Sequence, residues 1–128
     1  MEVVRLNIVD EKLKGSRYLG YTGHQRTLDF MLAKLMEEVG ELATEVNVEL
    51  GRLPQEKGSV DGVMGEAADV INCAVDIAFI YIKNQHPNLS NQQVAQMLGE
   101  RGKAKSDRWI NRLKLQSELK QESTFELK

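Results

Sequence analysis

Hydrophobic residues recur every three or four positions along two long stretches of the chain. Because an α-helix turns about 100° per residue, this spacing collects them on one face. The first stretch predicts an amphipathic helix over about residues 23–50, which ends where Gly51 and Pro54 interrupt the pattern. The second stretch predicts a helix over about residues 61–85, which is apolar nearly all round and therefore expected to be buried.

A third helix is predicted over about residues 91–114, after a polar turn. Ser90 and Gln93 have the spacing of a capping box, in which hydroxyl and amide satisfy free N–H groups at a helix start. Residues 1–22 are mixed and are expected to form an N-terminal arm, as either a short strand or an extended segment, and the polar residues 115–128 are expected to fray. The whole chain is therefore predicted to be one all-α domain, built as an antiparallel helical bundle.

Composition narrows the class of protein further. Hydrophobic residues make up 41% of the chain but aromatic residues only 5%, which favours helix packing over a β-sandwich. The one cysteine, Cys73, excludes an internal disulfide and a zinc site built from cysteines. The net charge of -2 argues against nucleic acid or an anionic membrane as the partner of the whole chain.

No segment of the sequence has the pattern of a signal peptide or of a membrane span. The first ten residues carry acidic side chains, without the basic region and apolar core of a signal peptide. The most apolar run, residues 70–82, is too short to cross a bilayer and contains Asn72 and Asp76. A cytoplasmic protein is therefore expected.

Two pairs of acidic residues carry the candidate chemistry. Glu38 and Glu41 lie three positions apart on the first predicted helix, and Glu66 and Asp69 do so on the second. Residues with this spacing share one side of a helix. Such a pair is usually solvated surface, but the second pair opens a run that is expected to be buried. Charged groups are rarely buried without a partner.

Antiparallel packing of the two helices is expected to bring both acidic pairs into one pocket. Two like charges about 5 Å apart repel by roughly 3 kcal/mol at an effective dielectric constant near 20. Several such carboxylates stay ionised together only if metal ions bind; otherwise they take up protons. Oxygen ligands without histidine or cysteine favour Mg²⁺, with Mn²⁺ as a substitute, and such Mg²⁺ also binds water and substrate phosphates. The residues therefore indicate phosphate-ester or anhydride chemistry.

The acidic residues also match a known family pattern, E-E-x-x-E followed after a spacer by E-x-x-D. The chain has Glu37-Glu38-Val39-Gly40-Glu41 and then Glu66-Ala67-Ala68-Asp69, within the contexts EEVGEL and EAADVI. Over about residues 28–113 it resembles the all-α nucleoside triphosphate pyrophosphatase superfamily, which includes MazG proteins, dimeric dUTPases and the mammalian dCTP pyrophosphatase. We find no additional long helical insertion like that of the dimeric dUTPases, so a preference for dUTP is not expected.

The resemblance implies an Mg²⁺-dependent hydrolase that cleaves a nucleoside triphosphate between the α- and β-phosphorus. The products are a monophosphate and pyrophosphate, formed by attack of a metal-activated water. On this model Glu38, Glu41, Glu66 and Asp69 hold the metal ions, and Glu38 and Glu41 also belong to the catalytic set. The family forms dimers or tetramers. Housecleaning of damaged nucleotides and control of a nucleotide pool are both compatible roles.

Further residues have a functional interpretation and a structural one. Glu45, one turn beyond Glu41, is either a catalytic base or metal ligand, or a solvated helix residue. Asn72 is either a nucleotide contact or a buried amide satisfied by the backbone. The other substrate-binding candidates are polar or basic residues that relatives place near the base or the phosphates: Lys103, Lys105, Arg108, His24 and Gln25. For the basic residues the alternative is a solvated face.

Two other classes of protein compete with this interpretation. A di-iron carboxylate bundle needs Glu-x-x-His pairs, but neither His24 nor His86 follows an acidic residue by three positions. A non-catalytic helical module would use the basic residues of segment 101–114 to bind RNA or a protein partner. Mg²⁺-dependent release of pyrophosphate separates the enzyme from the interaction module, which releases none. The sequence does not specify the base or the sugar of the substrate.

Overall fold

The computed structural model describes residues 27–126, which form three α-helices. Helix α1 is Leu28–Glu49, α2 is Gly62–Gln85 and α3 is Asn91–Glu126. A short 3-10 turn, Gln55–Lys57, lies in the linker between α1 and α2. The described range contains no β-strand, so the predicted all-α class is confirmed. None of these helices combines the length and the hydropathy that a membrane-spanning segment requires.

Helix α1 begins at Leu28 rather than near the predicted residue 23. Thr27 has an extended backbone, and its side-chain oxygen accepts a hydrogen bond from the N–H of Phe30 (3.2 Å). A threonine in this position caps the free N–H groups of the first turn, so the helix starts directly after it. At the other end Gly51 has a φ of +73°, which glycine adopts without strain, and the helix ends there as predicted.

Helices α2 and α3 begin where the sequence predicts, but α3 ends later. The capping box before α3 is confirmed, since Ser90 N–H donates to Gln93 Oε1 (2.8 Å) and Gln93 N–H donates to Ser90 Oγ (3.1 Å). The expectation that residues 115–128 fray is wrong as far as Glu126, because the helix continues to that residue. The extra turns contain neither glycine nor proline and are rich in leucine, glutamine, glutamate and lysine, which favour helix formation.

Helices α1 and α2 pack against each other in opposite directions. Their buried contact residues recur every seven positions, as Met31, Glu38 and Glu45 on α1 and as Glu66, Cys73 and Ile80 on α2. Met31 lines a cavity together with Cys73, whereas Glu38 lies against Glu66, so residue numbers rise along α1 as they fall along α2. Half of these six contact residues are glutamates, a residue type that is rarely buried without a partner.

The prediction that α2 is buried all round is wrong for the single chain. Phe79 and Ile80 are fully buried, but Met64 is 86% exposed and Tyr81 is 53% exposed. The physical reason is that, among the described helices, α2 packs against α1 along one side, so apolar residues such as Met64 and Tyr81 on another side remain in contact with water.

The chain divides into two compact units, Met1–Ala95 and Gln96–Lys128. The pair formed by α1 and α2 belongs entirely to the first unit. The second unit consists, where it is described, of the remainder of α3, whose side chains are exposed over residues 99–123. The arrangement of all three helices in one bundle, the single domain and the assembly into dimers or tetramers stay predictions.

Candidate metal centre

Three of the four carboxylates predicted to bind metal lie together between α1 and α2. One oxygen atom from each of Glu38, Glu66 and Asp69 lies within 4.8 Å of the others. Glu66 and Asp69 share a side of α2 because they are three positions apart, and the antiparallel pairing places Glu38 of α1 opposite them. We call these three residues, with Glu41, the acidic cluster.

Glu41, the fourth predicted ligand, is exposed and interacts with Glu38 and Glu66. A hydrogen bond with Glu38 and the negative charge of Glu38 raise the pKa of the Glu41 carboxyl, and partial burial and Glu66 raise it further. Nearby negative charges raise the pKa of a carboxyl because they disfavour its ionised form. Glu41 therefore belongs to the same acidic cluster, on its solvent side.

The two most deeply buried carboxylates of the acidic cluster are incompletely satisfied. Glu38 is 7% exposed and Glu66 is 6% exposed, and Oε2 of each has no hydrogen-bond partner in the described part of the chain. A buried charged acceptor without a partner costs roughly 1–3 kcal/mol or more. Lys34 Nζ lies 3.3 Å from Glu38 Oε1, but this single positive charge also lies 3.6 Å from Glu37. The arrangement therefore favours binding of a further cation.

The donor atoms determine which cation fits. All four residues of the acidic cluster offer carboxylate oxygens, the ligands that Mg²⁺ and Mn²⁺ prefer. Glu38 and Glu66 are buried, whereas Asp69 and Glu41 are more exposed. A cation held here would have protein ligands on its inner side and room for water or phosphate oxygens on its outer side. The residues present thus fit a divalent cation with an open coordination position.

Glu45 lies outside the acidic cluster and is tied to the linker before α2. It is 7% exposed, so the interpretation as a solvated residue is wrong, and its Oε1 accepts a hydrogen bond from the N–H of Ser59. The hydroxyl of Ser59 in turn donates to Glu66 Oε1 (3.3 Å). A chain of hydrogen bonds therefore connects Glu45 to a residue of the acidic cluster through Ser59.

Ser59 is a residue of the site that the sequence analysis did not identify. A single serine in a polar linker gives no periodic signal, and its contact with Glu66 depends on how the linker folds back over α1. Gly58 favours this path, because a Cβ built there would lie 3.4 Å from Glu45 Oε2 and 3.3 Å from the carbonyl oxygen of Gln55.

A cavity of about 490 Å³ adjoins the acidic cluster. It is lined by residues of both helices, namely Phe30, Met31, Ala33, Lys34, Glu37, Cys73 and Asp76. Its volume is in the range of small-molecule sites, and Lys34 connects it to the acidic cluster through its contact with Glu38. Phe30 was not singled out from the sequence, although it lies seven positions before Glu37 and hence on the carboxylate side of α1.

The remaining predicted substrate residues occupy different places. Asn72 is half-buried on α2, three positions after Asp69 and therefore on the same side of the helix. Lys103 forms an ion pair with Asp107 (2.7 Å), which raises the pKa of Lys103. Lys105 lies two positions from Lys103 and so on another side of α3. His24 and Gln25 lie outside the described residues.

A second, smaller cavity lies on the C-terminal unit. It has a volume of about 210 Å³ and is lined by Lys105, Arg108, Trp109 and Arg112. Two of the predicted phosphate-binding residues, Lys105 and Arg108, therefore share one basic surface with an indole ring, whereas Lys103 does not line it.

Comparison of the chain with protein-family models, with curated proteins and with solved structures found no match. The chemistry of the acidic cluster therefore has to follow from its own residues. Two buried carboxylates that each have one oxygen atom without a hydrogen-bond partner, together with an open outer side, fit a divalent cation.

Proposed function

We propose that the protein is an Mg²⁺-dependent nucleoside triphosphate pyrophosphohydrolase. It would convert a ribo- or deoxyribonucleoside triphosphate into the monophosphate and pyrophosphate, with Mn²⁺ as a possible replacement for Mg²⁺. The observation that carries the proposal is the convergence of Glu38, Glu66 and Asp69, two of them buried with unsatisfied oxygens. The resemblance of the acidic motifs to the all-α pyrophosphatases supports the same reaction.

Each residue of the acidic cluster has a defined task in this proposal. Glu38 and Glu66 form the buried inner side of the metal site, and Asp69 and Glu41 complete it towards solvent. The metal, when bound, neutralises the triphosphate and lowers the pKa of a coordinated water. Lys34 keeps one oxygen of Glu38 oriented through its ion pair.

We assign the cavity beside the acidic cluster to the nucleoside part of the substrate. Phe30 offers an aromatic ring at its edge, where it is 57% exposed, and Met31 offers an apolar wall. Base and sugar would occupy this cavity while the phosphates lie over the carboxylates. Housecleaning of damaged nucleotides or control of a nucleotide pool in the cytoplasm is the role that this reaction would serve.

Glu45 is assigned a positioning role rather than that of a general base. Its Oε1 already accepts the N–H of Ser59, and its side chain is enclosed by the linker. A general base must reach the proton of the attacking water directly or through one further water. Glu45 instead accepts a hydrogen bond from the N–H of Ser59, and the hydroxyl of Ser59 donates one to Glu66. These two hydrogen bonds orient Glu66, one of the proposed metal ligands.

The proposed reaction is tested by measuring pyrophosphate release from standard and modified nucleoside triphosphates with and without Mg²⁺. In ¹⁸O-labelled water we expect the label in the monophosphate, because attack at the α-phosphorus transfers the water oxygen to that product. Label found only in pyrophosphate would show attack at the β-phosphorus. Failure of every nucleotide to release pyrophosphate with either Mg²⁺ or Mn²⁺ would refute the proposal.

Ser59→Ala is expected to weaken Mg²⁺ binding by about tenfold, the lower end of effects seen when a residue that orients a metal ligand is lost. The substitution removes the hydroxyl that donates a hydrogen bond to Glu66. It leaves the backbone N–H of residue 59, which donates a hydrogen bond to Glu45. Calorimetric titration with Mg²⁺ measures the change. Ser106→Ala, at an exposed serine of α3, is the matched control. Equal affinities of the two variants would remove Ser59 from the site.

A specific observation favours a second candidate function, that of an interaction module. The surface formed by Lys105, Arg108, Trp109 and Arg112 combines three positive charges with an aromatic ring, a combination that binds single-stranded RNA or an acidic peptide. If this is the function, the full chain will bind such a ligand in a salt-dependent manner and release no pyrophosphate. Arg108→Ala and Arg112→Ala would then weaken binding, and Asp69→Asn would not.

A further inference from the structure

The cavity beside the acidic cluster is lined by a buried carboxylate to which the proposed reaction assigns no task. Asp76 of α2 lines this cavity and is 6% exposed. The other charged residues of the lining, Lys34 and Glu37, reach solvent, and Lys34 Nζ lies 3.6 Å from Glu37 Oε1. Aspartate is rarely buried, and a polar group in the wall of a mainly apolar cavity fixes the orientation of a ligand. Asp76 is therefore placed to contact whatever occupies the cavity.

Asp76 lies at a distance from the acidic cluster that suits a nucleoside. It follows Asp69 by seven positions on α2, so the two residues share a side of the helix. Seven residues are two turns and rise about 10 Å along the helix axis. A sugar and a base together span a similar length. When the phosphates lie over the acidic cluster, as the proposed function has them, the base reaches the level of Asp76.

The cavity walls bind the faces of a base without distinguishing one base from another. Phe30, which is more than half exposed, lines the cavity from α1, whereas Asp76 lines it from α2. Met31 and Cys73 are buried apolar parts of the same lining. Every base has an aromatic face that can stack on a phenylalanine ring, so stacking tolerates all of them. Discrimination between bases must come from a polar group that meets the edge of the base.

The chemistry of a carboxylate determines which edge it accepts. A carboxylate has two oxygen atoms that accept hydrogen bonds and donate none, and it binds most strongly to two neighbouring N–H donors. Among the standard bases, guanine presents such a pair, its N1–H and its N2 amino group. Adenine and cytosine place a ring-nitrogen acceptor next to their amino group. Uracil and thymine place a carbonyl oxygen on each side of their one N–H donor. These acceptors repel a carboxylate.

We infer that Asp76 makes the site selective for guanine nucleotides. Its carboxylate accepts hydrogen bonds from N1–H and from the N2 amino group while the base stacks on Phe30. Burial sharpens the selection, because any other base removes water from the Asp76 carboxylate without supplying both donors. The inference rests on the proposed function for the position of the phosphates, and it adds the substrate class.

The unmodified protein provides the first test, in which kcat/KM for pyrophosphate release is compared among triphosphates of guanine, hypoxanthine and 2-aminopurine. The measurement is made with both ribose and deoxyribose. Hypoxanthine lacks the amino group of guanine, and 2-aminopurine lacks its N1–H. Each analogue loses one hydrogen bond to a charged acceptor, so we expect kcat/KM to fall by about tenfold to a hundredfold. Equal values for guanine and hypoxanthine would overturn the inference.

Asp76→Asn supplies the second test. The substitution replaces one acceptor oxygen with an amino group that faces the donors of guanine, so the ratio of kcat/KM for guanine over hypoxanthine should fall close to one. Asp61→Asn is the matched control, because Asp61 is an exposed aspartate before α2 and does not line the cavity. It should keep the ratio of the unmodified protein. Circular dichroism checks that both variants are folded, and a folded Asp76→Asn with an unchanged ratio contradicts the inference.

Binding measurements separate this inference from the proposed reaction. The probes are α,β-methylene analogues of guanine and hypoxanthine triphosphates, which cannot be cleaved between the α- and β-phosphorus, titrated calorimetrically with Mg²⁺ present. Tighter binding of the guanine analogue, lost in Asp76→Asn, supports the guanine site even if no triphosphate releases pyrophosphate, a result that refutes only the reaction. Pyrophosphate release without a preference for guanine refutes the guanine site and leaves the reaction standing. Equal binding of the two analogues, or binding of neither, also refutes the guanine site.

Discussion

Asp69→Asn is expected to reduce Mg²⁺-dependent pyrophosphate release by at least about a thousandfold. The substitution removes one negative charge from the acidic cluster and replaces a charged metal ligand with a neutral amide of nearly the same shape. Asp69 is more exposed than Glu38 or Glu66, so the amide remains partly hydrated and the helix pair persists. The measurement is the turnover rate at saturating Mg²⁺, together with helix content from circular dichroism.

Asp61→Asn is the control for this experiment. Asp61 is an exposed aspartate directly before the same helix, and its side chain makes no capping hydrogen bond. Loss of activity in Asp69→Asn but not in Asp61→Asn would assign the effect to the acidic cluster. Glu41→Gln should also lose turnover. Full activity of Asp69→Asn or Glu41→Gln would exclude the altered residue from the site.

Local periodicity accounts for the parts of the fold and site that the sequence predicts. The bounds of α2 and the capping box of α3 follow from the apolar pattern and from Ser90 and Gln93. The meeting of Glu38 with Glu66 and Asp69 follows from two helical spacings and one antiparallel contact. All of these features can be predicted without knowing how an irregular segment folds.

The parts that were missed depend on contacts that periodicity does not encode. Ser59 reaches Glu66 only because the linker returns over α1, and Glu45 is buried by that same linker. The sequence does not show which acidic residue Lys103 contacts, because that depends on side-chain rotamers. In the structure its partner is Asp107. The apolar character of α2 predicts a buried helix, whereas Met64 and Tyr81 are exposed in the single chain, because periodicity does not show which neighbour covers an apolar side.

The same carboxylates that suit the protein for metal binding should weaken its fold when no metal is present. In metal-free protein we expect Glu41→Gln to melt at a higher temperature than the unmodified chain at pH 7. The hydrogen bond with Glu38 and the charge of Glu38, followed by burial and Glu66, raise the pKa of Glu41 in the folded state. An ionised Glu41 is therefore less favourable in the folded chain than in the unfolded chain, and glutamine removes that charge.

The pH dependence has a defined sign. Because the folded-state pKa of Glu41 lies above its unfolded value, its unfavourable contribution is fully present above the folded pKa. The contribution disappears as pH falls through that pKa towards the unfolded value. Stability of the metal-free chain should therefore rise on mild acidification from pH 7, and Glu41→Gln should lack this component of the rise. Calorimetric melting with a chelator across this pH range measures both.

Saturating Mg²⁺ should reverse the order of the two proteins. A ligand that binds only the folded state stabilises it by about 2.7 kcal/mol when present at a hundred times its dissociation constant, and Glu41→Gln should gain less because it binds Mg²⁺ more weakly. Glu37→Gln is the control, since Glu37 is exposed and pairs with Lys34 instead of crowding other carboxylates, so its loss should not raise the melting temperature. If Glu41→Gln melts below the unmodified chain without metal, the carboxylates do not repel one another, and the reason for a cation at this position is lost.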